Sequence, residues 1–193
     1  MTEGGTRDAS RPPAGIRELV YRYRGPLLAP PLLAALLLGG EAAGAGAWVA
    51  GTGLFLAGAG LRVWAQEHVR YRLDGAHSLA TTGPYRRLRN PVYLGTILLC
   101  VGAVVTTGRL WLAGVTALWC AAVYGPVVRF EEGHLEGKFG DDYRRYRRRV
   151  PRWRPRLGAG PLELVNGNYL APALRAEAGT LLVLIPFVLR ALL

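Results

Sequence analysis

Lysine is all but missing from this chain: of 24 basic side chains only Lys138 is not Arg, and 13 acidic residues leave a formal net charge of +11. In a soluble domain such an excess would point to nucleic acid. Cysteine is also scarce. Cys100 and Cys120 both sit inside apolar runs with no Cys-x-x-Cys pair, so a disulfide framework is excluded and both read as small packing residues. His68, His77 and His134 lack the spacing of metal ligands, and no metal site is expected. There is neither a Gly-x-Ser-x-Gly elbow nor a phosphate-binding Gly-rich loop, and the glycines of the apolar runs read as helix-packing positions. The first 25 residues hold several charges and no apolar core, which argues against a cleavable signal and makes the first apolar run the expected insertion signal.

What the chain does have is uncharged length. Ala42 to Leu61, Pro91 to Gly108 and Leu110 to Val128 carry no charged side chain, and each approaches the ~20 residues that cross a bilayer core as helix. Pro26 to Gly40 is shorter and contains Pro30-Pro31, but is counted as a fourth span. Ala178 to Leu193 holds Arg190 and is marginal in length, fitting a span, a re-entrant segment or a surface helix equally. An all-α integral membrane bundle of about four spans is therefore expected, with residues 1–25 as a cytoplasmic segment and 26–193 as the membrane domain.

The position of the charges then explains them. The Arg residues fall in three patches, Arg7 to Arg24, Arg62 to Arg89 and Arg129 to Arg156, while the turns at Glu41 and Arg109 are nearly bare. Four spans put all three patches on one side, the positive-inside arrangement of a cytoplasmic membrane, and separate them by bilayer too thoroughly for a nucleic-acid surface. Residues 66–90 become a cytoplasmic connector with turn signals at Asp74-Gly75, Thr81-Thr82-Gly83-Pro84 and Asn90-Pro91. Asn90 is the expected N-cap and Pro91 the first residue of the third span. Beyond Val128 the last helix is expected to continue into a cytoplasmic amphipathic segment, 129–156. Leu135, Phe139, Tyr143 and Tyr146 form its apolar stripe, and Gly140-Asp141 is its expected interruption.

Glu131 and Glu132 sit where an uncharged span meets the cytoplasm. The pattern fits a solvated helix exit paired with Arg129 or another Arg as well as it fits an anionic seat for a cationic ligand, with Arg129 as a counter-charge or a hook for an acidic group. Tyr85 and Tyr93 flank the Asn90-Pro91 helix start. As a bare pattern they are interfacial aromatics, although a cation held beside them and the carboxylates would find the surroundings of a sulfonium or quaternary amine.

Two stretches taken together, HSLATTGPYRRLRNPVYLG from His77 to Gly95 and EEGHLEGKFGDDYRRYRRRVPRW from Glu131 to Trp153, closely resemble the membrane methyltransferases typified by isoprenylcysteine carboxyl methyltransferase and the related phospholipid methyltransferases. The resemblance covers about the C-terminal half. It implies S-adenosylmethionine bound at the cytoplasmic face and a lipophilic acceptor arriving through the lipid. It further implies cofactor roles for His77, Ser78, Leu79, Ala80, Tyr85, Asn90, Pro91, Val92, Tyr93, Glu131 and Glu132, with Arg129 on the substrate side. The protein-prenylcysteine enzymes have Arg-His-Pro where this chain has Arg89-Asn90-Pro91, so a proton-carrying role at position 90 is not expected, and Asn90 is left to hydrogen-bond and position. Two other classes remain in contention: a membrane reductase of related helical arrangement using NADPH, and a non-catalytic membrane protein or transporter in which both motifs are anchors.

Overall fold

The structure is a computed structural model that describes residues 16–39, 43–75, 78–156, 158–160, 163 and 169–192. His77, Glu41 and residues 1–15 lie outside them. All regular structure among the described residues is helical: α1 (Ile16–Arg22), α2 (Ala29–Leu38, entered through a 3-10 turn at Pro26–Leu28), α3 (Ala45–Gly75), α4 (Pro84–Arg87), α5 (Pro91–Val105), α6 (Leu110–Arg149), α7 (Leu170–Leu181) and α8 (Ile185–Leu192). A 3-10 turn at Leu182–Leu184 joins the last two.

The helices long and apolar enough to cross a bilayer differ from those expected. They are Ala45–Val69, Leu110–Arg149 and Leu170–Arg190, while Pro26–Leu38 and Pro91–Val105 are shorter. The 15 residues of α5 rise only about 22 Å, less than a ~30 Å hydrocarbon core. The reason is its place inside the bundle. Leu99, Cys100, Ala103, Val104 and Val105 are all buried, so α5 packs mainly on protein rather than lipid. The C-terminal apolar run starts earlier than its composition suggested, at Leu170, which makes it long enough to span. Large apolar side chains such as Leu37, Val49, Leu110 and Leu118 are exposed on the outside of the bundle, as lipid-facing residues are.

Glycine sets the closest approach. α3 and α5 run antiparallel with two glycine pairs seven residues apart. A Cβ added at Gly58 would come within 2.5 Å of the Gly95 carbonyl oxygen, and one at Gly51 within 2.7 Å of the Gly102 oxygen. Only hydrogen fits there, and the backbones approach as in small-residue membrane seams. Polar locks hold the outer helices. Arg62 in α3 forms a two-armed ion pair with the buried Glu177 of α7 (2.6 and 3.1 Å) and also reaches Thr96 of α5. At the opposite end of the bundle, Arg190 donates to the carbonyls of Ala35, Leu36 and Gly39, satisfying the open C-terminus of α2.

α6 continues through Pro126 and beyond its uncharged stretch, then kinks at Gly140 (φ +50°), where the sequence placed its interruption. The turn from α5 to α6 takes only four residues, with Gly108 at φ +75°. Beyond the kink, Tyr143, Tyr146 and Val150 are buried with Leu79, Leu135 and Phe139 against them, so the anticipated apolar stripe exists and packs on the connector.

Candidate active site

The connector folds into the site through one forced turn. Gly83 has φ +55° and ψ −127°, and a Cβ there would sit 2.1 Å from Nε2 of the buried His68. No L side chain is tolerated by either the backbone or the space. Pro84 then opens the short α4, which carries Tyr85. Two backbone bonds, Arg89 N–H to Pro151 O (3.0 Å) and Arg156 N–H to Arg87 O (2.9 Å), lay the chain after α6 along this segment. The Tyr146 hydroxyl donates to the Tyr85 carbonyl at 2.8 Å, tying α6 beyond its kink to α4.

Asn90 holds the N-cap position of α5, but its side chain makes no capping bond. Its Nδ2 is buried without a partner. Three residues on, the Tyr93 hydroxyl donates to Glu131 Oε2 at 2.8 Å, and its ring lies 4.8 Å from that of Tyr124. Glu131 thereby receives a fixed orientation from α5.

Two cavities meet here. A chamber of about 700 Å3 is lined on one side by Tyr21, Arg24, Leu28 and Leu32, and on the other by Arg62, Thr96, Leu99 and Val183. A smaller cavity of about 220 Å3 lies between the connector and α6, among Ser78, Leu79, Ala80, Leu135, Phe139 and Tyr143. Val69, Tyr85, Arg89, Asn90 and Glu131 line both. Enclosure by protein raises the Tyr85 phenol above the usual phenol range, and the Glu131 charge and the Tyr146 phenol push the same way, so Tyr85 stays neutral at physiological pH.

Most of the anticipated residues converge on this pair of cavities. Ser78, Leu79 and Ala80 line the small one, Pro91, Val92 and Tyr93 the large one, and Tyr85, Asn90 and Glu131 both. Two do not. Glu132 lines neither cavity and is held by Arg152 (2.6 Å) and Arg89 (3.3 Å). Arg129, expected on the substrate side, is exposed and also lines neither. The helical period explains both: a step of 100° per residue turns Glu132 a quarter-turn from Glu131, and two steps carry Arg129 to the far face. His77 falls outside the described residues.

The sequence reading missed the cations that do face the chamber. Arg24 lies 4.4 Å over the Tyr21 ring and donates to the Tyr21 carbonyl, so the N-terminal segment forms a wall rather than only a surface helix. The alternation of Tyr and Arg from Tyr21 to Arg24 was the available signal. His134 and Lys138 line the small cavity one and two turns beyond Glu131, a spacing that α6 itself dictates. Among the described residues no three His, Cys, Asp or Glu side chains gather as metal ligands would.

A carboxylate between aromatic rings, beside an unpartnered amide donor, suits a cationic group carried on a polar molecule. The chain is 33% identical over 136 residues to the cobalt-zinc-cadmium resistance protein CzcN of Cupriavidus metallidurans, covering 70% of this chain and 55% of that protein. It is 31% identical over 75 residues to protein-S-isoprenylcysteine O-methyltransferase of Schizosaccharomyces pombe (39% of this chain, 32% of that one). It is 39% identical over 67 residues to methanethiol S-methyltransferase 1 of Bradyrhizobium diazoefficiens (34% and 22%). The chain thus spans about half the length of the first of these relatives and less of the others. No solved structure matches it. Residues 46–142, which run from α3 through the connector to just past the α6 kink, match the phospholipid methyltransferase family, and the chain belongs to that family.

Proposed function

We propose that the protein transfers a methyl group from S-adenosylmethionine to a lipophilic acceptor at the membrane face that carries the Arg patches, taken to be the cytoplasmic face of the cell membrane. The observation that carries this reading is the wall shared by two cavities of unequal size: Tyr85, Asn90 and Glu131 border both. A donor in one space and an acceptor in the other would meet only across these residues. Two of the relatives are named for methyl transfer to oxygen in one case and to sulfur in the other, so their shared feature is the transfer and not the acceptor.

The residues fit the cofactor. The small cavity offers apolar and aromatic surface from Leu79, Leu135, Phe139 and Tyr143, and a carboxylate at its inner end. When bound, S-adenosylmethionine supplies a methyl group already activated on a sulfonium. The protein then has to position, to balance charge and to keep water out. Glu131, oriented by Tyr93, provides the negative charge near which a sulfonium or ammonium is stable. Asn90 offers its unpartnered amide N–H. In the chamber, Leu28, Leu32, Leu99 and Val183 suit an alkyl chain, with Arg24 at its polar end.

The test is incubation of the purified protein in lipid with methyl-labelled S-adenosylmethionine and a lipid extract of its host. Label in an organic-extractable product is expected. Absence of both transfer and S-adenosylmethionine binding, with NADPH bound instead, would favour the reductase reading.

A further inference from the structure

A third cavity, of about 490 Å3, opens behind the small one. It shares Ser78, Leu79 and Tyr146 with the small cavity and no residue with the chamber. Four guanidiniums line it: Arg86 from α4, Arg145 and Arg149 from α6 beyond the kink, and Arg156 from the chain that follows. The helical period selects those on α6. Asp142, Arg145, Tyr146 and Arg149 are three, one and three residues apart and so share one face, while Arg144 and Arg147 are spent on Glu136 and Arg148 lines none of the three cavities. Two of the four charges are matched, Arg86 by Glu163 at 2.5 Å and Arg145 by Asp142. Arg149 and Arg156 have no carboxylate within ion-pair distance among the described residues. Like charges gathered on one concave wall repel each other, and an anion seated between them removes that cost. The rest of the wall is apolar: Leu79, the buried Val150, and the ring of Tyr146, whose hydroxyl is already given to the Tyr85 carbonyl. The backbone bonds from Arg89 N–H to Pro151 O and from Arg156 N–H to Arg87 O hold residues 151–156 beside 87–89, just ahead of the uncharged run that starts at Pro91. That is the level of lipid headgroups.

We propose that this third cavity is a phosphate site, separate from the methyl-transfer centre, in which Arg149 and Arg156 hold a phosphomonoester. A guanidinium meets phosphate oxygens with two N–H groups at a time, which an ammonium does not, and every cation on this wall is Arg. Two unmatched positive charges complement a monoester, which carries about −1.5 to −2 charge at pH 7, better than a singly charged diester. The group is supplied by an anionic lipid headgroup or by a soluble phosphate ester. The apolar strip beside the guanidiniums and the level of the cavity favour the headgroup. The site stands whether or not the protein transfers methyl groups.

The test titrates the full chain in non-ionic detergent by calorimetry at about 0.1 M salt, where a charge that is merely nearby is largely screened. The probes are dihexanoyl phosphatidate, glycerol 3-phosphate as the same group without acyl chains, and dihexanoyl phosphatidylcholine as the same chains without net charge. The phosphatidate should bind about tenfold tighter than the phosphatidylcholine, or more. Arg149→Gln and Arg156→Gln should each weaken it about three- to tenfold. Arg148→Gln, which removes the same charge one residue outside the cavity, should weaken it less than about twofold. All three side chains are exposed, so thermal unfolding should be the same in each variant, which keeps loss of binding apart from loss of fold. Glycerol 3-phosphate binding within about threefold of the phosphatidate, with the same dependence on Arg149 and Arg156, assigns the site to soluble phosphate esters; much weaker binding assigns it to the headgroup. A phosphatidate preference that survives both substitutions, or that falls equally in Arg148→Gln, overturns the site and leaves the cluster as a topological anchor. The absence of both the preference and glycerol 3-phosphate binding in the wild type overturns it as well.

Discussion

One residue along α6 separates a carboxylate that borders two cavities from one buried between guanidiniums, so the same isosteric change should have different effects at each. Glu131→Gln removes the charge but keeps the shape and a partner for the Tyr93 hydroxyl. It should weaken S-adenosylmethionine by ~1.5–3 kcal/mol, the value of a hydrogen bond to a charged group, with little change in thermal unfolding. Glu132→Gln leaves Arg89 and Arg152 without their shared anion. It should lower stability toward ~3 kcal/mol, the lower end for a broken buried pair, because Arg152 is one-third exposed and keeps part of its hydration. Calorimetry and unfolding measured on both variants check this, and a large binding loss in Glu132→Gln with unchanged stability would contradict it. The adjacent pair was legible in the sequence as one signal. Its division was not, because which of two neighbouring side chains faces a cavity depends on the rotation of the helix, and that is set by packing far from the motif.

At the scale of elements, the α3–α5 seam carries the prediction. Gly58 and Gly60 are both glycines in the middle of α3, but a Cβ at Gly58 meets the α5 backbone, whereas one at Gly60 meets nothing within 4 Å. Gly60→Ala should be neutral or stabilise by ~0.5–1 kcal/mol through helix propensity. Gly58→Ala forces two backbones apart and should destabilise by at least the ~1–3 kcal/mol of an overpacked core. Thermal unfolding in detergent separates them, and equal behaviour of the two variants would remove the seam from the account. Helix starts were well marked in the sequence: Pro91 opens α5 and Gly108 closes the turn to α6, as their chemistry requires. Helix lengths were not, because an apolar run reports what is uncharged rather than what is helical. α3 therefore carries Arg62 and Glu67 past the end of its uncharged stretch, and α7 begins eight residues before the one at Ala178.

For the molecule as a whole, two ends of the bundle are defined by contacts. Gly39, Gly108 and Arg190 lie at one end, since Arg190 bonds to the Gly39 carbonyl and Gly108 abuts Ala43. The connector and the chain after α6 lie at the other. The proposed function takes the second, Arg-rich end to face the cytoplasm, as the positive-inside pattern would have it. Arg109→Cys should then react with a membrane-impermeant maleimide in intact cells, and Arg145→Cys, in the exposed part of α6, only after permeabilisation. The native Cys100 and Cys120 are buried and should stay silent. The reverse pattern would invert the site's orientation. The all-helical class and the meeting of the two polar blocks at one end of the bundle were readable from where the uncharged runs and the Arg patches fall along the chain. The chamber was not, because its walls on α1, α2 and α7 come from segments outside both polar blocks, where even the Tyr–Arg alternation from Tyr21 to Arg24 acquires meaning only by where it packs.

Arg190 also has a consequence for how the protein is made. The carbonyls it satisfies on α2 lie 151 to 155 residues earlier in the chain. At synthesis rates of roughly 5–20 residues per second, α2 emerges about 8–30 s before its partner exists. During that interval the end of the first apolar helix must borrow water or lipid headgroups, and the bundle is held open at that end. The helix that carries Arg190 is thus the one that seals α2, and a ribosome stalled short of position 190 would leave behind a membrane protein with α2 still unlatched.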